Sequence, residues 1–250
     1  MEQRQRDGID LLERIGYLPQ LRQLAMSMCA PFWWHGERED KEYGIIHNGT
    51  ICCLNTGSKV IWVTADHVYN QYLSDKDSYQ SFGCQFGSST VQPEKYLIDR
   101  NRGLDLATFE VPGVLMAPSG ISVHYPLKWP PERIKDREVV LFGGFPGALR
   151  EEQETKAEHP FQSFVSAVNS VSTENIGLHL DLPNLHWPFH EGDTFNADLG
   201  GASGGPVFRI IEAPPIDRLE LVGFIYEYST AFELMFARHA HHIDSDGSIK

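Results

Sequence analysis

Leu199-Gly200-Gly201-Ala202-Ser203-Gly204-Gly205-Pro206-Val207-Phe208 sets a serine inside a run of four glycines and opens into an apolar stretch. Glycine reaches backbone conformations that other residues resist, and it lets a substrate approach main-chain N–H groups. A hydroxyl held in such a turn can act as a nucleophile beside donors for an oxyanion. A glycine-rich turn whose serine makes a local hydrogen bond fits the same ten residues. Pro206-Val207-Phe208 continues as a strand, so the serine precedes β structure. The partners of Ser203 elsewhere in the chain decide between the two readings.

A serine nucleophile needs a base, and the base needs an orienting carboxylate. Among the 11 histidines, His67 stands out. It follows the β-branched and aromatic run Val60-Ile61-Trp62-Val63-Thr64, a buried strand by composition. A residue at a strand end is held rigidly while its ring faces a cleft. Asp105 lies in Gly103-Leu104-Asp105-Leu106-Ala107-Thr108-Phe109, read as an aspartate within an apolar strand. Such a carboxylate is costly to bury unless it is hydrogen-bonded, and an imidazole N–H is a suitable partner.

Thr64-Ala65-Asp66-His67, Asp105-Leu106-Ala107 and Gly201-Ala202-Ser203-Gly204-Gly205-Pro206 together resemble the trypsin-like (chymotrypsin-fold) serine peptidases, bacterial intracellular members in particular. The order is His, Asp, Ser. Phe142-Gly143-Gly144-Phe145-Pro146-Gly147 is similar to the glycine-proline turn early in the second barrel of the bacterial members. Leu221-Val222-Gly223-Phe224-Ile225 resembles the strand that follows the serine and lines the cleft. The resemblance implies an all-β fold of two six-stranded antiparallel barrels. It implies catalysis by His67, Asp105 and Ser203, with the N–H groups of Gly201 and Ser203 as oxyanion hole. Ala197 falls where trypsins carry their basic-selecting aspartate, and Asp198 is one residue later. With Tyr226, Glu227 and Tyr228 these form the expected substrate-binding set; Tyr228 stands where many members have glycine. Ala202 occupies the place of the aspartate that a new N-terminus pairs in zymogen activation, so that latch is not expected. Gly201-Ala202-Ser203-Gly204-Gly205 also satisfies the G-x-S-x-G elbow of α/β-hydrolases, but there the aspartate and histidine follow the serine. Only 47 residues follow here, too few for the βα units required.

Composition limits the alternatives. A formal net charge of -13 over 250 residues argues against nucleic acid and anionic membranes as partners. Met1-Glu2-Gln3-Arg4-Gln5-Arg6-Asp7 does not read as a secretory leader, and a cytoplasmic location is expected. Cys29, Cys52, Cys53 and Cys84 are read as reduced and partly buried, with Cys52 and Cys53 on opposite strand faces. Neither metal nor cofactor is called for.

Along the chain, residues 1–30 read as an N-terminal helical segment, helical over 8–27 and broken at Gly16 and Pro19. Residues 31–124 read as a first barrel, with a bulge or turn at Asn48-Gly49 and strands including 82–86, 95–99, 104–111 and 120–124. A Pro-rich linker (125–137) follows, then a second barrel (138–240) with a charged loop at 150–158. Residues 241–250 are read as a solvated tail, a metal site at His239, His241 and His242 being the other option weighed. The leading function is a serine endopeptidase acting on a protein or peptide. A peptide-binding module without catalysis and an effector active only with a partner protein are the alternatives.

Overall fold

The computed structural model describes residues 12, 15–37, 45–153, 156–180, 198–213 and 217–250. Its first half is a seven-stranded antiparallel sheet in the order β5-β4-β1-β2-β3-β7-β6. The strands are β1 (Cys29–Glu37), β2 (Ile45–Asn55), β3 (Val60–Thr64), β4 (Gln80–Phe86), β5 (Ser89–Thr90), β6 (Leu97–Asn101) and β7 (Leu106–Glu110). The second half is a closed six-stranded antiparallel barrel in the order β11-β12-β15-β14-β13-β8. It comprises β8 (Val139–Gly144), β11 (Gln162–Val171), β12 (Asn175–His179), β13 (Pro206–Ile211), β14 (Arg218–Ser229) and β15 (Leu234–His239). The all-β fold in two successive antiparallel units is as expected, and the second closes as a six-stranded barrel; the first, expected as a six-stranded barrel, is a seven-stranded sheet with β5 and β6 at its ends.

The period of two in a strand divides the apolar residues among three cores. Ile51, Cys53, Trp62 and Phe109 point into the first half. Val140, Phe142, Val207 and Ile225 point into the barrel. The alternate residues form a layer between the halves: Cys52, Leu54, Ile61 and Val63 from one side, Leu141, Phe208, Leu221 and Phe224 from the other. Cys52 and Cys53 therefore do face opposite ways. Strands buried on both faces explain the near-continuous apolar runs, and each fully buried Leu or Phe contributes about 1.5–3 kcal/mol relative to exposure.

Several local expectations change. The first described helix, α1 (Tyr17–Ser27), is capped by Gly16 at φ 80°; Pro19 sits in its first turn, where a missing N–H costs nothing, and breaks nothing. Leu18, Leu21 and Ala25 are buried, whereas Ile15 and Leu24 are exposed. Residues 66–78, unassigned by sequence, form a second helix, α2 (Asp66–Ser78). A short helix, α3 (Gly113–Ser119), leads to a segment in which residues 120–124 make a single bridge, Leu54 to His124, and no strand. β2 runs without a turn through Asn48-Gly49. Gly49 is needed for space, since a Cβ there would lie 2.4 Å from Val68 of α2. The charged loop at 150–158 holds a small hairpin, β9 (Glu151–Gln153) with β10 (Lys156–Glu158).

The expected solvated tail is packed. Ile243 is fully buried, and Trp129 Nε1 donates to its carbonyl at 3.0 Å. Thr108 Oγ1 donates to Gly247 O at 2.6 Å, and Ile249 N–H to Asp99 Oδ2 at 2.8 Å. The reason is the apolar character of Ile243 and Ile249, which bridge each other antiparallel.

Candidate active site

Strand pairing brings His67 and Asp105 together. β3 and β7 are antiparallel, with Thr64 opposite Ala107. The residues just after Thr64 and just before Ala107 therefore emerge at the same sheet edge. His67 lies in the first turn of α2, not in a plain strand end. The N-cap residue, Ala65, has no side-chain acceptor, and the first N–H groups of a helix lack intrahelical partners. Asp105 fills that role. Its Oδ1 accepts from the His67 backbone N–H at 2.7 Å, and its Oδ2 meets His67 Nδ1 at 2.7 Å. One carboxylate thus fixes both the backbone and the ring, leaving Nε2 for the cleft.

Asp105 itself is in a turn before β7, not inside the strand. Its φ is 51°, a left-handed conformation that Asp tolerates better than most residues. Leu104 N–H bonds Asn101 Oδ1 at 3.0 Å within the same turn. Asp66 is held elsewhere, by a bidentate pair with Arg100 at 2.5 and 2.9 Å.

Ser203 sits in the turn that feeds β13. Gly204 N–H donates to Ile225 O at 2.7 Å and Ile225 N–H to Gly205 O at 2.8 Å. These bonds extend the β13–β14 ladder and set Ser203 beside Tyr226. The hydroxyl donates to Tyr226 O at 3.5 Å; among the described residues no hydrogen bond joins it to His67. Gly201 has φ 98° and Gly204 φ 90°. A Cβ on Gly204 would lie 2.0 Å from Thr50 O, so only glycine fits. Ala202 N–H and Gly205 N–H have carbonyl acceptors within the turn, whereas the Gly201 and Ser203 N–H groups have none among the described residues. Two unpaired donors beside a hydroxyl are what an oxyanion requires.

Two adjoining hollows flank these groups. One, about 470 Å³, is lined by His67, Asp105, Asn70 and Arg102; the other, about 420 Å³, by Ser203, Asp198, Tyr228 and Met235. Tyr226 and Glu227 border both. Of the expected substrate-binding residues, Asp198 is exposed and its Oδ1 accepts from Gly200 N–H at 2.9 Å. Glu227 is exposed. Tyr228 packs on the barrel core, and its hydroxyl is buried with no partner among the described residues; burial and nearby Glu233 push its pKa up. Ala197 lies outside the described residues.

Arg238 was not singled out by sequence. Its guanidinium lies 4.1 Å from the centre of the Tyr226 ring and donates to Gly103 O at 3.2 Å. It ties the barrel to the Asp105 turn. Burial raises the Tyr226 pKa, and the Arg238 charge works against that rise. Around the serine turn, Asn48 Nδ2 donates to Phe145 O at 2.6 Å and Cys52 Sγ to Gly204 O at 3.2 Å. The signal for the Asn48 contact was available: Asn48 and Thr50 are polar positions two apart, on one face of β2. His239, His241 and His242 pack ring to ring, 4.6 to 6.1 Å between centres, where the chain turns out of β15.

No family model matches the sequence, and no curated protein does. Among solved structures, similarity is found to the Rv3671c protease of M. tuberculosis in its active form (TM-score 0.48, 13% identity, 87% of this chain and 78% of that one). It is found also to a serine endoprotease from Yersinia pestis (TM-score 0.48, 13% identity, 87% and 62% covered). A third is the thermostable serine protease AL20 from an extremophilic microorganism (TM-score 0.47, 11% identity, 86% and 92% covered).

Proposed function

We propose that the chain is a serine endopeptidase. Ser203 Oγ attacks a peptide carbonyl while His67 Nε2 takes its proton. Asp105 holds Nδ1–H and stabilises the imidazolium. The Gly201 and Ser203 N–H groups receive the oxyanion. His67 then protonates the leaving amine, and water repeats the sequence in reverse on the acyl-enzyme. The observation that carries this reading is the pair of hydrogen bonds between Asp105 and His67, at 2.7 Å each, on the cleft that Ser203 also borders. The hollow beside Ser203 is bordered by Asp198 and Glu227 and by no Lys or Arg among the described residues. Residues 181–202 contain neither Lys nor Arg. A neutral or cationic substrate side chain suits it better than a carboxylate. Four free, buried cysteines fit the proposed reducing, cytoplasmic setting, and no helix among the described residues is long and apolar enough to cross a membrane.

A peptide-binding module without catalysis is favoured by one observation, the Ser203 hydroxyl facing Tyr226 O at 3.5 Å in place of His67. Hydrogen bonds of this kind often tighten only with substrate bound. A fluorophosphonate probe and a casein cleavage assay separate the readings. The peptidase is labelled and cleaves, and Ser203→Ala abolishes labelling and lowers kcat by about a million-fold. A wild-type protein that neither labels nor cleaves sinks the peptidase reading.

A further inference from the structure

Thr50 belongs to the first half, yet three of its hydrogen bonds reach the second, two of them to the serine turn. It lies on β2, is fully buried, and stands opposite Pro31 of β1, which has no N–H to give. Its own N–H donates to Ser203 O at 2.8 Å. Its Oγ1 donates to Gly201 O at 2.9 Å and accepts from Phe145 N–H at 3.0 Å. Its carbonyl accepts from Thr64 Oγ1 at 2.6 Å. A hydroxyl has one proton to donate, and here that proton goes to the Gly201 carbonyl while a lone pair takes the Phe145 amide.

We propose that the Thr50 hydroxyl is a positioning residue for the oxyanion donors. The Gly201 carbonyl shares a peptide plane with the Ala202 N–H, the Ser203 carbonyl lies two planes on, and the plane between them carries the Ser203 N–H. Holding Gly201 O and Ser203 O at two points fixes the orientation of the intervening backbone, and with it the direction of the Ser203 N–H. The hold extends upstream, because Phe145 is fixed by the same hydroxyl and Gly147 N–H donates to Gly200 O at 2.6 Å. Thr50 touches neither substrate nor the reacting atoms; it acts through the turn. The side chain is also matched to its surroundings: a Cβ on Gly144 would lie 2.7 Å from Thr50 Oγ1, so the neighbouring strand has been cut back to let the hydroxyl in.

This rests on the reading of Ser203 as nucleophile, and the experiment keeps the two apart. Thr50→Val preserves shape and removes the hydroxyl; Thr50→Ser keeps the hydroxyl. Fluorophosphonate labelling rates, kcat and KM for a p-nitrophenyl ester, and amide hydrogen exchange of residues 198–206 are measured on the full chain. Misplacing a catalytic group by about an ångström costs about 100-fold in rate. The expected result is a fall of that order in labelling and kcat for Thr50→Val with KM little changed, faster exchange in the serine turn, and recovery of both in Thr50→Ser. Where valine prevents folding, Thr50→Ala, which leaves room for a water, takes its place. A folded hydroxyl-free variant with wild-type labelling and exchange overturns the proposal. A wild-type protein that is never labelled overturns the peptidase reading instead, and the exchange comparison then still decides whether Thr50 holds the turn.

Discussion

Asp105 carries two duties on one carboxylate, closing the first turn of α2 through the His67 amide and orienting the His67 ring. Asp105→Asn separates them. An amide can still accept from the His67 N–H, so the fold should persist, but its second group presents the wrong hydrogen-bonding pattern to Nδ1. The expected outcome is a kcat lower by about ten-thousand-fold with an unchanged circular-dichroism spectrum; a loss under tenfold would contradict the assigned role. That His67, Asp105 and Ser203 would border one cleft was legible in the sequence because each sits beside a strand end of distinctive composition. The local backbone of Asp105 was not. The turn signal at Arg102-Gly103 was present, but the apolar residues on both sides of Asp105 outweighed it, and a φ of 51° leaves no mark on an aspartate.

Among elements, the strands were read well where they are buried on both faces. β3 and β8 announce themselves as unbroken apolar runs. α2 did not, since Asp66 and Asp75 are buried on the same helix as Val68, Tyr69 and Tyr72 and interrupt its short apolar stripe. Its polar members are satisfied by specific partners: Arg100 for Asp66, and Trp34 Nε1 at 2.8 Å for Asp75. Such partners come from other elements and cannot be counted from a local window. β2 carries a second element-scale consequence. Cys52 and Cys53 lie on its two faces, and Cys29 is the cross-strand partner of Cys52. Burial pushes all four thiols up, Cys53 to about 12, so thiolate is scarce at neutral pH and the groups are inert. Ellman's reagent should therefore release about four equivalents only after denaturation; rapid reaction of the native protein would contradict the packing of β2.

For the whole molecule, acid is the expected weakness. His124, packed between the halves with its ring 5.4 Å from that of Phe208, is pushed by burial from the ordinary 6.5 to about 4. His159 and His241 are lowered to about 4 as well, in each case chiefly by burial. The unfolded chain binds these protons more readily than the folded one, so stability rises with pH across this window. The contribution is fully present above about pH 6.5 and is lost as pH falls towards about 4. Melting temperature should drop steadily between those values, and His124→Leu should flatten the slope. A melting temperature independent of pH over that range would contradict the burial of these rings. The two-unit architecture was anticipated from the family resemblance and from the Pro-rich stretch 125–137 that divides the strands. The packing of residues 243–250 was not, because two isoleucines set among polar residues reveal their contacts only through the surface they land on.

That packing has a counterpart at the other end of the chain. Helix α1, which precedes the first sheet, lies in the layer shared with the barrel, and Tyr17 Oη donates to Asp217 Oδ2 at 2.5 Å. Residues 243–250, which follow the barrel, return to the first sheet through Thr108 and Asp99. Each half lends the other an arm, and the arms cross. The connector 125–137 is thus not what holds the halves together, and severing it with a protease should leave a nicked molecule whose two fragments co-migrate until denaturant parts them.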